Sequence, residues 1–308
     1  MADIPQRTLK DYARITGVGI AMGAADVVPG VSGGTMAFIL GVYDELLGAI
    51  RSFNPTFLKL LFKGRFAAAF DHVNGRFLIA LFLGLGGALI TLAHAITWLL
   101  DHQPVLLFSF FFGLVLASIV TVSSHVHWTP AMVATCGIGT AAAYFIVRMV
   151  PMDMPNDPLT LFWCAAVAIM AMILPGISGS FILFVLGQYR FVMEAVKSLD
   201  VVTLLPFGLG VATGLLSFSH VLTWLLKRHR QVTITLLIGF MIGSLWKIWP
   251  FRVVLETATK PKGEVIPIRE SVVLPDFASG QFWAAAALCA AGFFVIMFLE
   301  RKAAVVKA

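Results

Sequence analysis

The sequence predicts an all-α polytopic membrane protein. Of its 308 residues, 59% are hydrophobic and only 12% are charged, and the mean hydropathy is +0.92. A water-soluble domain of this size cannot bury so much apolar surface, whereas a bundle of membrane-spanning helices can expose it to lipid. The chain also contains one glycine-rich motif twice, which predicts a fold of two related halves.

The repeated motif is a Pro-Gly-x-Ser-Gly segment inside an apolar stretch. Residues 29–43 and 175–189 match at Pro, Gly, Ser, Gly, Phe, Leu, Gly and Tyr. Proline removes a backbone donor and glycine adopts unusual backbone angles, so each copy should interrupt a helix. Backbone groups that lose their helical hydrogen bonds at membrane depth are tolerated only inside protein or beside a water-filled cavity. We therefore predict that two broken helices build one binding site.

Six further apolar segments are long enough to cross a membrane, three after each motif. They are residues 77–100, 105–123, 131–150, 201–226, 232–249 and 282–299. The pattern His94-x-x-Thr-Trp recurs as His220-x-x-Thr-Trp, which extends the repeat beyond the motif. We predict a single membrane domain over residues 1–308, with repeat 1 at 15–150 and repeat 2 at 159–300. Repeat 1 holds a basic insertion, residues 51–76, predicted to form a short amphipathic helix on the membrane surface.

The distribution of basic residues predicts that the two repeats are inverted. If each motif segment is a re-entrant hairpin, each half crosses the membrane three times. Both termini and the basic segments 51–76, 227–230 and 301–302 then lie in the cytoplasm, as the positive-inside rule requires. The predicted fold is thus two inverted-topology repeats, each a re-entrant broken-helix hairpin plus three transmembrane helices. The net charge of +6 reflects this topology and contact with anionic membrane lipids, not binding of nucleic acid.

The motifs are candidate sites for an anionic group, above all a phosphate. Glycine-rich turns that enter a helix expose several N–H groups, and the helix N-terminus adds partial positive charge. The alternative is that the small residues only let helices pack closely. The candidate substrate-binding residues are Gly30, Ser32, Gly33, Gly34 and Thr35, then Gly176, Ser178, Gly179 and Ser180, and Arg190. Arg148 and Arg190 lie at predicted outer segment ends, where each either meets an anionic headgroup or extends to the interface.

Three further residues are candidates for coupling transport to an ion gradient. Asp26 is the only carboxylate in the first motif segment, and its counterpart is Met172. A charge at membrane depth often takes part in ion movement, but Asp26 could instead cap N–H groups beside the break. His94 and His220 either relay protons or form interhelical hydrogen bonds beside interfacial tryptophans. The sequence contains no metal-spaced cluster and no catalytic motif, so we predict no metal, cofactor or catalytic residue.

Residues 28–35 and 173–180 resemble the two signatures of the bacterial undecaprenyl-phosphate translocases, and the resemblance extends over the whole chain. It implies a multi-pass inner-membrane protein, a homodimer, that returns undecaprenyl phosphate from the outer to the cytoplasmic leaflet. It also implies that the re-entrant helices bind the phosphate. The residues alone predict only a transporter of an anionic group with an inverted repeat. Two alternatives stay open: a small-anion channel or exchanger that uses paired helix N-termini, and a membrane lipid phosphatase.

Overall fold

The structure is a computed structural model that describes residues 7–28, 31–149, 152, 154–259 and 265–307. Within these residues it contains fifteen α-helices and one two-stranded sheet. The first half forms α1 (Leu9–Val27), α2 (Gly33–Ile39), α3 (Tyr43–Arg51), α4 (Pro55–Phe62), α5 (Phe66–His72), α6 (Gly75–Thr91), α7 (Ala93–His102), α8 (Pro104–Ser123) and α9 (Pro130–Val147).

The second half repeats much of this order and adds a hairpin. Its helices are α10 (Pro158–Ile173), α11 (Gly179–Val185), α12 (Tyr189–Ser198), α13 (Val201–Arg228), α14 (Arg230–Ser244) and α15 (Gly280–Lys307). Between α14 and α15, β1 (Arg252–Thr259) pairs with β2 (Val265–Val272) in an antiparallel hairpin. The apolar patterns that predict the membrane spans do not predict this hairpin, which lies between two of the spans.

The helix lengths confirm a helical multi-pass membrane protein. By length and composition, four helices can each cross a membrane: α8, α9, α13 and the first 19 residues of α15. Three further pairs pass the same test together but are bent, α2–α3 by 115°, α5–α6 by 68° and α11–α12 by 110°. As predicted, each motif also interrupts a helix: α1 ends at Val27 before α2, and α10 ends at Ile173 before α11.

Two predicted helices are each divided in the structure. The predicted span 77–100 is interrupted at Leu92, where α6 ends and α7 begins. Thr91 Oγ1 donates to the Gly87 carbonyl at 2.7 Å, a local bond of the kind that bends helices. The predicted surface helix within 51–76 is two short helices, α4 and α5, because Gly64 between them adopts a φ of +65°. Leu58, Phe62 and Phe66 on this segment are exposed, as a membrane-surface location would require.

Glycines bring four pairs of helices into backbone contact. The glycines are Gly19, Gly23 and Gly84 between α1 and α6, Gly210 and Gly214 between α10 and α13, Gly113 and Gly292 between α8 and α15, and Gly139, Gly239 and Gly243 between α9 and α14. A Cβ on any of them would collide with backbone of the facing helix. Such close packing of small residues holds helices together where lipid provides no hydrophobic drive.

In each of the two pairs α9–α14 and α8–α15, the helices run in the same direction. Gly239 faces Cys136, and Gly243, one turn further along α14, faces Thr140, one turn further along α9. Gly113 faces Cys289, and Thr121 Oγ1, further along α8, donates to Met297 Sδ at 3.6 Å.

Each broken helix turns back, so that its two ends meet. We call α1–α2 hairpin 1 and α10–α11 hairpin 2. Arg7, just before α1, forms a 2.5 Å ion pair with Glu45 in α3. Gln188, just after α11, donates from Nε2 to the carbonyls of Met154 and Pro155 before α10, at 3.0 and 3.2 Å. The chain therefore enters and leaves each hairpin at the same end.

Candidate functional site

The two motifs meet through hydrogen bonds between side chains of the first and backbone of the second. The buried Gly176 N–H donates to Thr35 Oγ1 at 2.8 Å. The Tyr43 hydroxyl donates to the Ile173 carbonyl at 2.8 Å, and Ser32 Oγ donates to the Met172 carbonyl at 3.4 Å. These three bonds satisfy backbone groups that the break in hairpin 2 leaves without helical partners. The structure thus brings Ser32 and Thr35 to the second motif.

The helix N-terminus in the first motif is occupied by its own side chains. Asp26 Oδ1 accepts the Gly33 N–H at 2.7 Å, and Ser32 Oγ accepts the Gly34 N–H at 3.2 Å. Asp26 therefore caps the broken helix, which is the structural role that the sequence left open for it. Its carboxylate already lies where an incoming anion would bind. Gly30, a further predicted site residue, lies outside the described residues.

The second motif is more open than the first. No side chain caps α11, and the hydroxyl groups of Ser178 and Ser180 bond to each other at 2.8 Å. Ser180 is exposed, and Met172, the counterpart of Asp26, is apolar. The two copies of the motif are therefore chemically asymmetric. The start of α2 holds a carboxylate, whereas the start of α11 has uncharged serine hydroxyls.

Lys247 is a candidate site residue that the sequence analysis missed. Its ammonium nitrogen lies 5.4 Å from the centre of the Phe181 ring, in the first turn of α11. The end of α14 also packs on Gly176, where a Cβ would lie 2.7 Å from Ser244 Oγ. Lys247 therefore places a positive charge beside the second motif. The available signal was that Lys247 is the only charged residue in the predicted span 232–249.

The motif glycines also serve close packing, the alternative role considered for them. A Cβ on Gly34 would lie 2.6 Å from the Met172 carbonyl oxygen, and one on Gly179 would lie 2.9 Å from that of Ala168. A Cβ on Gly33 would lie 2.5 Å from Asp26 Oδ2. Bulky substitutions here would disturb the fold, so they cannot separate binding from packing.

The other predicted site residues lie exposed, and the structure does not join them to the motifs. Arg190 lies exposed in the first turn of α12, and His94 is exposed on α7. His220 on α13 is also exposed, and its Nδ1 lies 2.7 Å from the Leu216 carbonyl oxygen of its own helix. Among the described residues, no hydrogen bond links either imidazole to a motif residue, and no group of three His, Cys, Asp or Glu residues could hold a metal.

Two exposed aspartates begin α10 and α13. Asp157 accepts a hydrogen bond from the Thr160 hydroxyl at 2.6 Å, and Asp200 accepts one from the Thr203 hydroxyl at 2.7 Å. These bonds hold the pKa of both carboxyl groups below the usual value, with backbone N–H groups contributing. Both carboxylates are therefore charged at neutral pH.

Comparison with known proteins agrees with the resemblance of the motifs. Residues 22–266 match the family model described as undecaprenyl phosphate translocase-like. The chain is 46% identical over 258 residues to a polyprenyl-phosphate transporter of Vibrio cholerae, covering 83% of this chain and 84% of that protein. It is 32% identical over 251 residues to a polyprenyl-phosphate transporter of Staphylococcus aureus, covering 75% of this chain and 84% of that protein. No solved structure gives a significant match.

These relatives are transporters, which excludes the lipid phosphatase alternative and indicates a membrane transporter that is not an enzyme. Both matches cover most of each chain, and the family model spans both motifs. The chain therefore belongs to the undecaprenyl phosphate translocase-like family.

Proposed function

We propose that this protein moves polyprenyl phosphate, in particular undecaprenyl phosphate, from the outer to the cytoplasmic leaflet of a bacterial inner membrane. The observation that carries the proposal is the meeting of the two broken-helix motifs, with Lys247 beside the more open one. Backbone N–H groups, serine hydroxyls and an ammonium group together suit a phosphate headgroup. The names of the two relatives support a polyprenyl phosphate as the lipid.

The headgroup site that we propose lies where Ser178, Gly179 and Ser180 begin α11. In hairpin 1, Asp26 holds the corresponding N–H group of Gly33. A phosphate that approaches to about 4 Å from this carboxylate is repelled by roughly 4 kcal/mol at an effective dielectric constant near 20. Uptake of a proton or a cation by Asp26 would remove this repulsion. We therefore propose that headgroup binding is coupled to an ion through Asp26.

We also propose that the halves, residues 15–150 and 159–300, are inverted repeats. The contact between α1 and α6 in the first half corresponds to the contact between α10 and α13 in the second half. In the same way, the contact of α8 with α15 corresponds to the contact of α14 with α9. The loop 124–129 is too short for α8 and α9 to cross the membrane in the same direction. Helix α8 is parallel to α15, and α9 is parallel to α14. Because α8 and α9 cross the membrane in opposite directions, α8 runs opposite to its counterpart α14. The meeting of the two ends of each hairpin supports re-entrant segments.

The inverted arrangement predicts that Ser52 and Ser198 lie on opposite sides of the membrane. Each is replaced by cysteine in a protein whose own Cys136, Cys164 and Cys289 have been removed. We expect an impermeant thiol reagent applied to intact cells to label the residue-198 cysteine, and to label the residue-52 cysteine only after permeabilisation. Labelling of both cysteines from the same side would contradict the inverted arrangement.

Reconstitution tests the transport function directly. We expect liposomes containing the protein to move labelled undecaprenyl phosphate between leaflets faster than protein-free liposomes do. Chloride and inorganic phosphate flux is measured in the same liposomes. Anion flux without lipid movement would overturn the proposal in favour of the small-anion channel or exchanger.

A further inference from the structure

An apolar groove of about 560 Å³ runs along the contact between α9 and α14. One face of α9 forms its floor through Val133, Gly137, Ala141 and Phe145, which recur every fourth residue. At 1.5 Å per residue these positions span about 18 Å, more than half the thickness of the hydrocarbon core. Trp128 lines the groove near the start of α9, and Trp246 lines it beyond the end of α14. Tryptophan is enriched at both membrane interfaces, so the groove follows the direction of the lipid tails.

Two arginines stack on Trp246 at one end of this groove. The Arg148 guanidinium lies 5.2 Å from the centre of the Trp246 ring and 5.1 Å from that of Tyr144, whose hydroxyl it also contacts. The Arg252 guanidinium lies 5.3 Å from the same Trp246 ring, and its Nε donates to the Trp249 carbonyl at 2.9 Å. The aromatic rings thus hold both guanidinium groups at the mouth of an apolar groove.

The charge of Arg148 is not neutralised by a carboxylate within the part of the chain that the structure describes. The two ion pairs found there are Arg7–Glu45 and Arg230–Asp44. A guanidinium group presents parallel N–H donors that match a phosphate, and stacking on an aromatic ring leaves those donors available at its edge. Since α9 and α14 are parallel, the arginine end lies at their shared C-terminal side, on the face that we propose is extracytoplasmic.

We propose that this groove is a docking site for polyprenyl phosphate, separate from the headgroup site at the start of α11. The phosphate contacts Arg148, and the polyprenyl chain lies along the groove. Charge complementarity selects the headgroup, while van der Waals contact along the groove favours a long hydrocarbon chain. Lys247, next to Trp246, lies beside the second motif, so the docked headgroup is close to the proposed translocation path. This inference rests on the proposed function and adds a site at which the lipid binds before translocation.

The test uses a pair of glycines that both have room for a side chain. A Cβ on Gly137 in the groove, or on Gly208 on the exposed side of α13, would meet no atom within 4 Å. Gly137→Trp therefore fills the groove without moving the helices, and Gly208→Trp adds the same indole elsewhere. The third variant is Arg148→Gln. Binding of undecaprenyl phosphate and of undecaprenol, which lacks the phosphate, is measured for each purified protein.

We expect Gly137→Trp to weaken binding of both lipids at least tenfold, and Gly208→Trp to weaken neither. Arg148→Gln should weaken binding of undecaprenyl phosphate about tenfold and leave binding of undecaprenol unchanged. Equal binding by Gly137→Trp and Gly208→Trp, or an equal effect of Arg148→Gln on both lipids, would overturn the inference. If wild-type protein transports the lipid while these variants behave normally, only the docking site is wrong. If wild-type protein moves no lipid, the proposed function itself fails.

Discussion

We expect the Asp26→Asn variant to bind polyprenyl phosphate and to transport it without dependence on the ion gradient. In the coupling that we propose, the carboxylate at the start of α2 repels an incoming phosphate until it takes up a proton or a cation. The asparagine has no charge, so binding of the headgroup no longer requires that uptake. The measurement is the transport rate in liposomes with and without an imposed proton or sodium gradient.

Asparagine isolates the charge of Asp26 from its structural role. The Asp26 carboxylate accepts the Gly33 N–H at 2.7 Å, and an amide oxygen in the same place can still accept it. Asp26→Leu is the contrasting variant, because it removes both the charge and the cap. Loss of a helix cap typically costs about 1 kcal/mol, so Asp26→Leu should also unfold at a lower temperature. If Asp26→Asn keeps the gradient dependence of the wild type, Asp26 is only a cap.

The second large effect is expected at Thr35, whose hydroxyl links the two motifs. Thr35→Val keeps the shape of the side chain but removes the acceptor of the buried Gly176 N–H. An unsatisfied buried donor costs about 1–3 kcal/mol, and here it would also loosen the contact between the two hairpins. We expect a clear loss of thermal stability and of transport, with protection by added polyprenyl phosphate reduced as well. Thermal unfolding in detergent and transport in liposomes measure these effects.

Two variants serve as controls for the Thr35 prediction. Thr35→Ser retains a hydroxyl and should retain most of the stability and transport. Thr233 is also buried, but its hydroxyl donates only to the His229 carbonyl of its own helix turn at 2.9 Å. Thr233→Val therefore leaves no buried N–H group without an acceptor, and its effect should be small. Equal effects of Thr35→Val and Thr233→Val would show that the link between the motifs does not matter.

Much of the architecture follows from features that can be recognised along the chain itself. Apolar composition predicts a membrane protein, and the positions of proline and glycine predict where both motif helices break. The structure confirms both, because α1 ends at Val27 and α10 at Ile173, each just before its motif. The same local reasoning failed at Leu92, where no proline marks the break, and at the β-hairpin, which lies between the predicted spans.

The partners of the site residues were decided only by the tertiary structure. The sequence singled out Thr35, Gly176 and Asp26, and it left open whether Asp26 caps the helix. It could not reveal that Thr35 accepts a hydrogen bond from the Gly176 N–H or that Lys247 lies beside α11. Nor could it reveal that Arg148 and Arg252 stack on the same tryptophan ring. The physical reason is that helix breaks and spans depend on neighbouring residues in the chain. Contacts between residues about a hundred positions apart depend on how the helices pack, and neither spacing nor composition records that packing.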